Sequence, residues 1–324
     1  MKIHKLISLV AFAGAVVTTR AQTNSLSPKI KTEVIENINK DLRELYVFPD
    51  TAMKMGDYLR HQLNIHAYDT IKTPSVFAAK ITSDLRSVYP DGHLSIEYSA
   101  PQSGGDQKPD PAAAKARRLK FIRSVNYGFE RAEILQGNTG YIKIKGFAPT
   151  DSAGKAMAQT ALRFVSNSNA LIIDVRDNMG GNPDMVSYLC GFFFAERVHL
   201  NDLYTRKDHS TQTFWTTPDT ILNSLKSIPL YVLTSHRTFS AGEEFTYDLQ
   251  TQKRAIVIGE TTGGGAHPVG PNDAGHGFTA NIPFARAINP VTKTNWEKIG
   301  VKPDVETNAG DALNEALKRI AHKQ

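Results

Sequence analysis

Ser240 is the residue whose place in the sequence best suits covalent chemistry. It follows an apolar run that ends near Thr234 and precedes a helix predicted over residues 241–251. At a helix N-terminus, free N–H groups and the helix dipole favour an alkoxide or a tetrahedral oxyanion. Serine is also a preferred helix cap, and Glu243 follows at the capping-box spacing. The local residues therefore leave two roles open, and taken alone they favour the cap.

Paired glycines, Gly180 and Gly181, follow a second apolar run over residues 170–175. Glycines permit positive φ and close backbone approach, as an anion pocket lined by N–H groups requires. A tight strand-to-helix turn explains the same pair equally well. Another glycine-rich segment, residues 263–265, lacks the Lys-Ser/Thr of a phosphate-binding loop.

A nucleophilic serine needs a base, and the ten histidines offer two candidates. His93 lies in a turn predicted to follow the third N-terminal helix, and His267 follows the glycine-rich segment at residues 263–265. Neither shows metal-ligand spacing with another histidine, so we expect no metal site and no cofactor. Cys190, the single cysteine, stands among phenylalanines and is expected to be a core residue that cannot form an internal disulfide.

The elements around these residues indicate an α/β protein. Three short amphipathic helices are predicted within residues 28–90, forming an N-terminal helical bundle over 28–100. Residues 101–119 are rich in Gly, Pro and Ala and read as a linker. The remainder, 120–324, alternates apolar strands with helices, as in an α/β core covered on both faces.

The first 21 residues have the layout of a secretory signal peptide: two lysines, an apolar run of about twelve residues and a small residue before Gln22. We therefore expect a periplasmic or secreted protein with no integral membrane segment after signal removal. The net charge of +6 is spread along the chain without long runs of one sign. The most basic segment, residues 115–120, has no interleaved aromatics, so we expect no nucleic-acid partner.

Several segments, in order, resemble the tail-specific (C-terminal processing) serine peptidase superfamily, most closely its branch of interphotoreceptor retinoid-binding protein modules and tricorn-type cores. The resemblance covers nearly all of the expected mature chain, Gln22 to Gln324. The segments that carry it are Tyr46-Val47-Phe48-Pro49, Asp91-Gly92-His93-Leu94, Asn126-Tyr127-Gly128-Phe129, Gly137-Asn138-Thr139-Gly140-Tyr141, residues 174–181, 238–244 and 259–268, and Gly300-Val301-Lys302-Pro303-Asp304.

The resemblance implies a crotonase-like α/β core with Ser240 as the nucleophile. It implies oxyanion donors at Ala241 and at the Gly180-Gly181 turn. Many members use a lysine base, but Gly265 occupies the corresponding position here. The tricorn-like alternative has His93 as the base and Glu297 as the carboxylate that orients it.

Two functions follow from the resemblance. The first is an exported serine-type peptidase that acts on peptides or polypeptides without a PDZ-like tethering insert. The second is a non-catalytic binding protein for an apolar ligand on the same fold. The joint presence of Ser240, His93 and Glu297 favours the enzyme, because a binder needs no such set. Acyl-coenzyme A chemistry is disfavoured by the expected export, and the sequence leaves the oligomeric state open.

Overall fold

A computed structural model describes residues 26–100 and 110–322. Within these residues the helices are α1 (Pro28–Leu45), α2 (Pro49–Asn64), α3 (Pro74–Val88), α4 (Pro111–Ser124), α5 (Ser152–Phe164), α6 (Pro183–Cys190), α7 (Ala241–Thr251) and α8 (Ala312–Ala321). The strands are β1 (Ser95–Tyr98), β2 (Phe129–Leu135), β3 (Thr139–Ile144), β4 (Ala170–Asp174), β5 (His199–Thr205), β6 (Ser210–Trp215), β7 (Leu230–Thr234), β8 (Ile256–Gly259), β9 (Val269–Gly275), β10 (Phe278–Pro283), β11 (Ala285–Ile288) and β12 (Val305–Glu306).

A six-stranded sheet in the order β12-β8-β7-β4-β3-β2 forms the centre of the α/β core. All neighbouring strands in it are parallel except β2, which runs antiparallel to β3. Every residue of β4 and β7 is buried, since α5, α6 and α7 cover one face and α8 covers the other. The expectation of an α/β core with strands covered on both faces is confirmed.

The sheet topology brings the two suspected site loops together. β4 and β7 are parallel neighbours, so the loops after Asp174 and Thr234 leave the same edge of the sheet. Ligands in open α/β sheets bind at this carboxyl edge. The backbone N–H of Phe239 donates to the carbonyl of Asn178 at 2.9 Å, which joins the two loops directly.

The three predicted N-terminal helices are confirmed, and each begins with proline at its first turn, where the missing N–H is not needed. Their apolar faces pack on a three-stranded sheet in the order β1-β10-β9. β9 and β10 belong to the C-terminal half of the chain, so the helical region shares its core with the rest of the molecule. A further sheet, β11-β5-β6, lies beside the candidate site.

Several sequence-based expectations concern the rest of the chain. The signal peptide over 1–21 and residues 101–109 of the linker lie outside the described residues. From Pro111 the predicted linker is helical, since α4 begins there with Asp110 as its side-chain cap. Cys190 is fully buried in the main core, as expected. No helix in the described ranges is long and apolar enough to cross a membrane.

Candidate active site

A cavity of about 410 Å³ opens at the carboxyl edge of the central sheet. Among the residues that line it are Ser240, Ala241, His93 and Gly181, four of the six residues that the sequence placed at the site. Gly180 lies immediately behind them, because a Cβ there would be 2.8 Å from Cβ of Ser240. The sixth, Glu297, belongs to an adjacent buried cluster.

Ser240 sits in a strained turn between β7 and α7. Its backbone has φ 54° and ψ −123°, whereas an ordinary N-cap residue lies in the extended region with negative φ. Positive φ is costly for a residue with a Cβ, and such strain collects at functional sites. A serine on a sharp strand-to-helix turn is also how the nucleophile elbow of other hydrolases exposes its hydroxyl.

The local hydrogen bonds bear on the capping role that the sequence left open for Ser240. Ser240 and Glu243 form a capping box, in which the N–H of Ser240 donates to Oε2 of Glu243 at 2.9 Å. The N–H of Glu243 donates to the Ser240 carbonyl at 2.8 Å. Ser240 is therefore the cap of α7, and the same residue lines the cavity.

The backbone of the glycine turn is fixed by its surroundings. Gly180 has φ +107° and Gly181 has φ +139°, and a Cβ on Gly181 would be 2.2 Å from the carbonyl oxygen of Phe147. Both positions therefore require glycine. The N–H of Gly180 donates to Oδ1 of Asn178 at 2.8 Å and is thus already occupied. No hydrogen bond within the described residues uses the N–H of Gly181 or of Ala241.

His93 is held at the cavity wall by its backbone and by an aromatic neighbour. Its N–H donates to Oδ1 of Asp91 at 3.1 Å, which closes a short turn before β1. The imidazole lies against the ring of Phe239 with 4.5 Å between centroids. Burial lowers the pKa of His93 to about 4, so the ring is neutral at pH 7 and its nitrogen lone pair is available.

The ring nitrogens of His93 are open for chemistry. Nδ1 is buried and has no hydrogen-bond partner among the described residues. No hydrogen bond there joins the imidazole to the hydroxyl of Ser240 either. Contacts of this kind are often long in unliganded enzymes and shorten when substrate binds.

His267, the other candidate base, is buried away from the cavity. Its Nδ1 lies 2.8 Å from Oδ2 of Asp91 and 3.5 Å from Oε2 of Glu297. Burial acts to raise the pKa of Asp91, but the bonds and charges of His267 and His93 outweigh it and hold that pKa below its usual value. Burial raises the pKa of Glu297 to about 7. The structure therefore places Glu297 beside His267, while its second oxygen, Oε1, is buried without a partner.

Among the described residues, one cluster has the spacing to hold a metal ion. It consists of Asp91, His267 and Glu297, whose ligand atoms lie within 4.8 Å of one another. Their hydrogen bonds provide a sufficient explanation for the cluster. Oδ2 of Asp91 accepts from the hydroxyl of Tyr46 as well as facing His267, and Oε2 of Glu297 accepts from the N–H of Ala266.

Two positioning residues were not recognised as such from the sequence. Glu243 is fully buried and accepts from the hydroxyl of Thr262 and from the N–H groups of Gly264, Gly265 and Ser240. Burial raises its pKa to about 7 against the pull of these four bonds. Its capping-box spacing was the available signal, but its contacts with the glycine-rich loop come from tertiary structure.

Asn178 is the second of these residues. Its carbonyl, Oδ1 and Nδ2 bind the N–H of Phe239, the N–H of Gly180 and the carbonyl of Ile144. One buried residue, through its backbone carbonyl and its side chain, thus fixes the Ser240 turn and the glycine turn in relation to each other. Its place beside the paired glycines was the only sequence signal.

Comparisons with known proteins give a consistent family assignment. The model of peptidase family S41 matches residues 138–307, and the model for the N-terminal domain of S41 peptidases in eukaryotic IRBP matches residues 15–123. A chloroplastic carboxyl-terminal-processing peptidase 2 of Arabidopsis thaliana is 31% identical over 166 residues, which are 51% of this chain and 31% of that protein. The chain thus spans about a third or less of the curated relatives it matches.

Solved structures show the same fold. A protein of Parabacteroides merdae described as a candidate peptidase superposes with a TM-score of 0.63 at 18% identity, over 91% of this chain and 96% of that one. The photosystem II D1 C-terminal processing protease superposes with a TM-score of 0.52 at 17% identity, over 86% and 93%.

Proposed function

Since this chain belongs to peptidase family S41, we propose that it is a serine peptidase whose nucleophile is Ser240 and whose base is His93. The observation that carries the proposal is the position of Ser240, on a turn with positive φ, at the wall of a cavity that His93 also lines. Pre-organised geometry of this kind lowers the barrier to attack on a bound carbonyl.

The chemistry follows from the atoms in place. His93 takes the proton of Ser240 as Oγ bonds to the scissile carbonyl carbon. The carbonyl oxygen becomes an oxyanion, for which the unused N–H groups of Ala241 and Gly181 are the donors. Gly180 keeps the approach open, since any side chain there would meet Ser240. His93 then protonates the leaving amine, and water releases the acyl group from Ser240 by the reverse steps.

We further propose that Glu297, when ionised, orients His93. The support is that Nδ1 of His93 and Oε1 of Glu297 are both buried without partners among the described residues. Glu297 also accepts from the N–H of Ala266, and a Cβ on the preceding Gly265 would lie 2.7 Å from Cε1 of His93. The acid limb of kcat/KM should then lie near pH 7, where Glu297 ionises. In Glu297→Gln the maximum rate should fall and that limb should move toward the pKa of His93, near 4. An unmoved limb would remove Glu297 from the mechanism.

The decisive experiment is labelling with a fluorophosphonate probe. We expect one adduct on Ser240 in the folded protein, its loss in Ser240→Ala, and slow labelling in His93→Ala at a nearly unchanged melting temperature. Peptide cleavage should follow the same pattern. Folded protein that neither labels nor cleaves would instead support the binding-protein alternative, which the largely apolar cavity wall around Leu203, Phe284 and Trp296 favours.

The core of this peptidase is proposed to be crotonase-like, and its site of action is proposed to be the periplasm or the exterior of the cell. Mass spectrometry of protein recovered from cell fractions tests the second point. A mature N-terminus at Gln22 in the exported fraction is expected, and an intact Met1 in the cytosol would contradict it.

A further inference from the structure

Two buried carboxylates extend inward from the proposed nucleophile along α7. Glu244 lines the cavity and is 6% exposed, and Asp248, one turn further, is fully buried. The N–H of Glu244 donates to the carbonyl of Ser240 at 3.0 Å, so Glu244 lies one helical turn, about 5.4 Å of rise, below the nucleophile. The cavity wall thus carries an acidic group one helical turn away from Ser240.

These carboxylates have no cationic partner among the residues that the structure describes. None of the salt bridges in the described ranges includes Glu244 or Asp248. Burial raises the pKa of both, and their mutual repulsion raises that of Asp248 further. A buried charge without a partner is costly, and a cation placed beside it would recover much of that cost.

An independent observation at the same place points to a ligand with hydrogen-bond donors. Asn201 lines the cavity, is fully buried, and donates its Nδ2 to Oε1 of Glu244 at 3.1 Å. Its own acceptor, Oδ1, has no partner among the described residues. Buried acceptors are seldom left unpaired, so this wall lacks donors that a bound group could supply.

The remaining wall suits the stem of a long side chain. Leu203, Ala287, Pro268 and Trp296 line the same cavity as Glu244 and contribute mainly apolar surface. Lysine and arginine carry an apolar stem that ends in several donors and a positive charge.

We propose that this cavity is a specificity pocket for a cationic side chain, lysine or arginine, of the peptide substrate, with Glu244 as the residue that binds the charge. The inference rests on the proposed peptidase function. The stem lies along the apolar wall beneath Ser240, while the ammonium or guanidinium pairs with Glu244 and donates to Asn201. The peptide would then be cut next to its basic residue.

The test is a set of peptides that differ only in the residue before the cleaved bond: lysine, arginine, norleucine or glutamate. For the wild type we expect kcat/KM for lysine and arginine to exceed that for norleucine by about tenfold or more, with glutamate poorest. Glu244→Gln keeps the shape of the residue and an acceptor for Asn201, so its ratio of kcat/KM for lysine over norleucine should fall to about one. Glu315→Gln, at a surface carboxylate on α8 paired with Arg319, is the matched control and should behave as wild type.

Binding measurements separate this inference from the proposed function. Calorimetry should show that n-butylguanidinium binds the wild type, that the neutral n-butylurea does not, and that Glu244→Gln binds neither. A norleucine preference in the wild type, or a lysine preference that survives in Glu244→Gln, would overturn the pocket while leaving the peptidase intact. If no peptide is cleaved in a Ser240-dependent way, the peptidase proposal fails, and guanidinium binding still decides the pocket.

Discussion

Replacing Gly265 by alanine should abolish most activity by adding one methyl group. An ideal Cβ at this position would lie 2.2 Å and 2.5 Å from two ring carbons of Phe239, and 2.7 Å from Cε1 of His93. The φ of Gly265 is outside the left-handed region, so alanine is acceptable to the backbone itself. The whole cost of the substitution therefore comes from the collision with these two rings.

The size of the effect follows from the distances. The ring of Phe239 would have to retreat by about 1 Å to reach ordinary contact, and His93 packs against that ring. Overpacking of this kind costs about 1–3 kcal/mol of unfolding free energy. A misplacement of about 1 Å in a catalytic group can cost about a hundredfold in rate. We therefore expect a folded protein with kcat lowered by about two orders of magnitude.

The assay compares kcat and the melting temperature of Gly265→Ala with two glycine controls. Gly270→Ala meets Phe284 only at 3.7 Å, and Gly310→Ala meets nothing within 4 Å, so both should keep wild-type activity. Phe239→Leu should reduce the penalty of Gly265→Ala when the two are combined, because it removes the ring in conflict. Full activity in Gly265→Ala would refute the placement of His93 as the base. A loss of activity that only tracks the unfolded fraction would refute the positional argument.

Three further predictions concern the surroundings of the site. Gly181→Ala should destabilise the protein by about 2–4 kcal/mol, since it combines positive φ with a clash against the carbonyl of Phe147; a denaturant midpoint equal to that of Gly310→Ala would contradict this. Glu243→Gln replaces one carboxylate oxygen by an amide N–H group, which would face the N–H donors that now bind Glu243. Labelling of Ser240 should therefore slow, and the free energy of unfolding should fall by about 2 kcal/mol. Unchanged values for both would show that the carboxylate does not hold the loop. The pKa of Glu297 rises from 4.5 to about 7 on folding, so its contribution to the free energy of unfolding is complete below pH 4.5 and is lost as the pH rises to 7. In urea melts between pH 5 and 7, the wild type should therefore lose up to about 1.4 kcal/mol of unfolding free energy per pH unit, and Glu297→Gln should not. The same pH dependence in both proteins would refute the prediction.

The parts of the fold that could be predicted from the sequence are those with strong local patterns. β4, β7 and β8 are short apolar runs bounded by turns, and the helix predicted over 241–251 coincides with α7. The hairpin of β9 and β10 was not predicted, because β9 reads Val-Gly-Pro-Asn-Asp-Ala-Gly and shows neither alternation nor β-branched enrichment. Its pairing with β1, from the other end of the chain, depends on contacts that no local window contains.

The same distinction applies to the candidate site. The serine, the histidine and the paired glycines could be chosen as candidates from their residue types and from the turns predicted around them. The partners that hold them could not, since Glu243 acts through residues about twenty positions away and Glu244 meets Asn201 across 43 positions. Both glutamates stand in the first turn of α7, and both are buried. Their contacts form only when β5 and the glycine-rich loop pack against α7.

The packing around Gly265 explains why a lysine at position 265 is incompatible with His93 in its observed place. The space that a side chain at position 265 would enter is already filled by Phe239 and by the imidazole of His93. A lysine there would need both rings to move, and the loop is fixed by Glu243 through the N–H groups of Gly264 and Gly265. In this frame a lysine base and the observed position of His93 exclude each other. Adding Gly265→Lys to His93→Ala should therefore fail to restore Ser240 labelling while Phe239 is present, and restored labelling would show that the two bases are interchangeable after all.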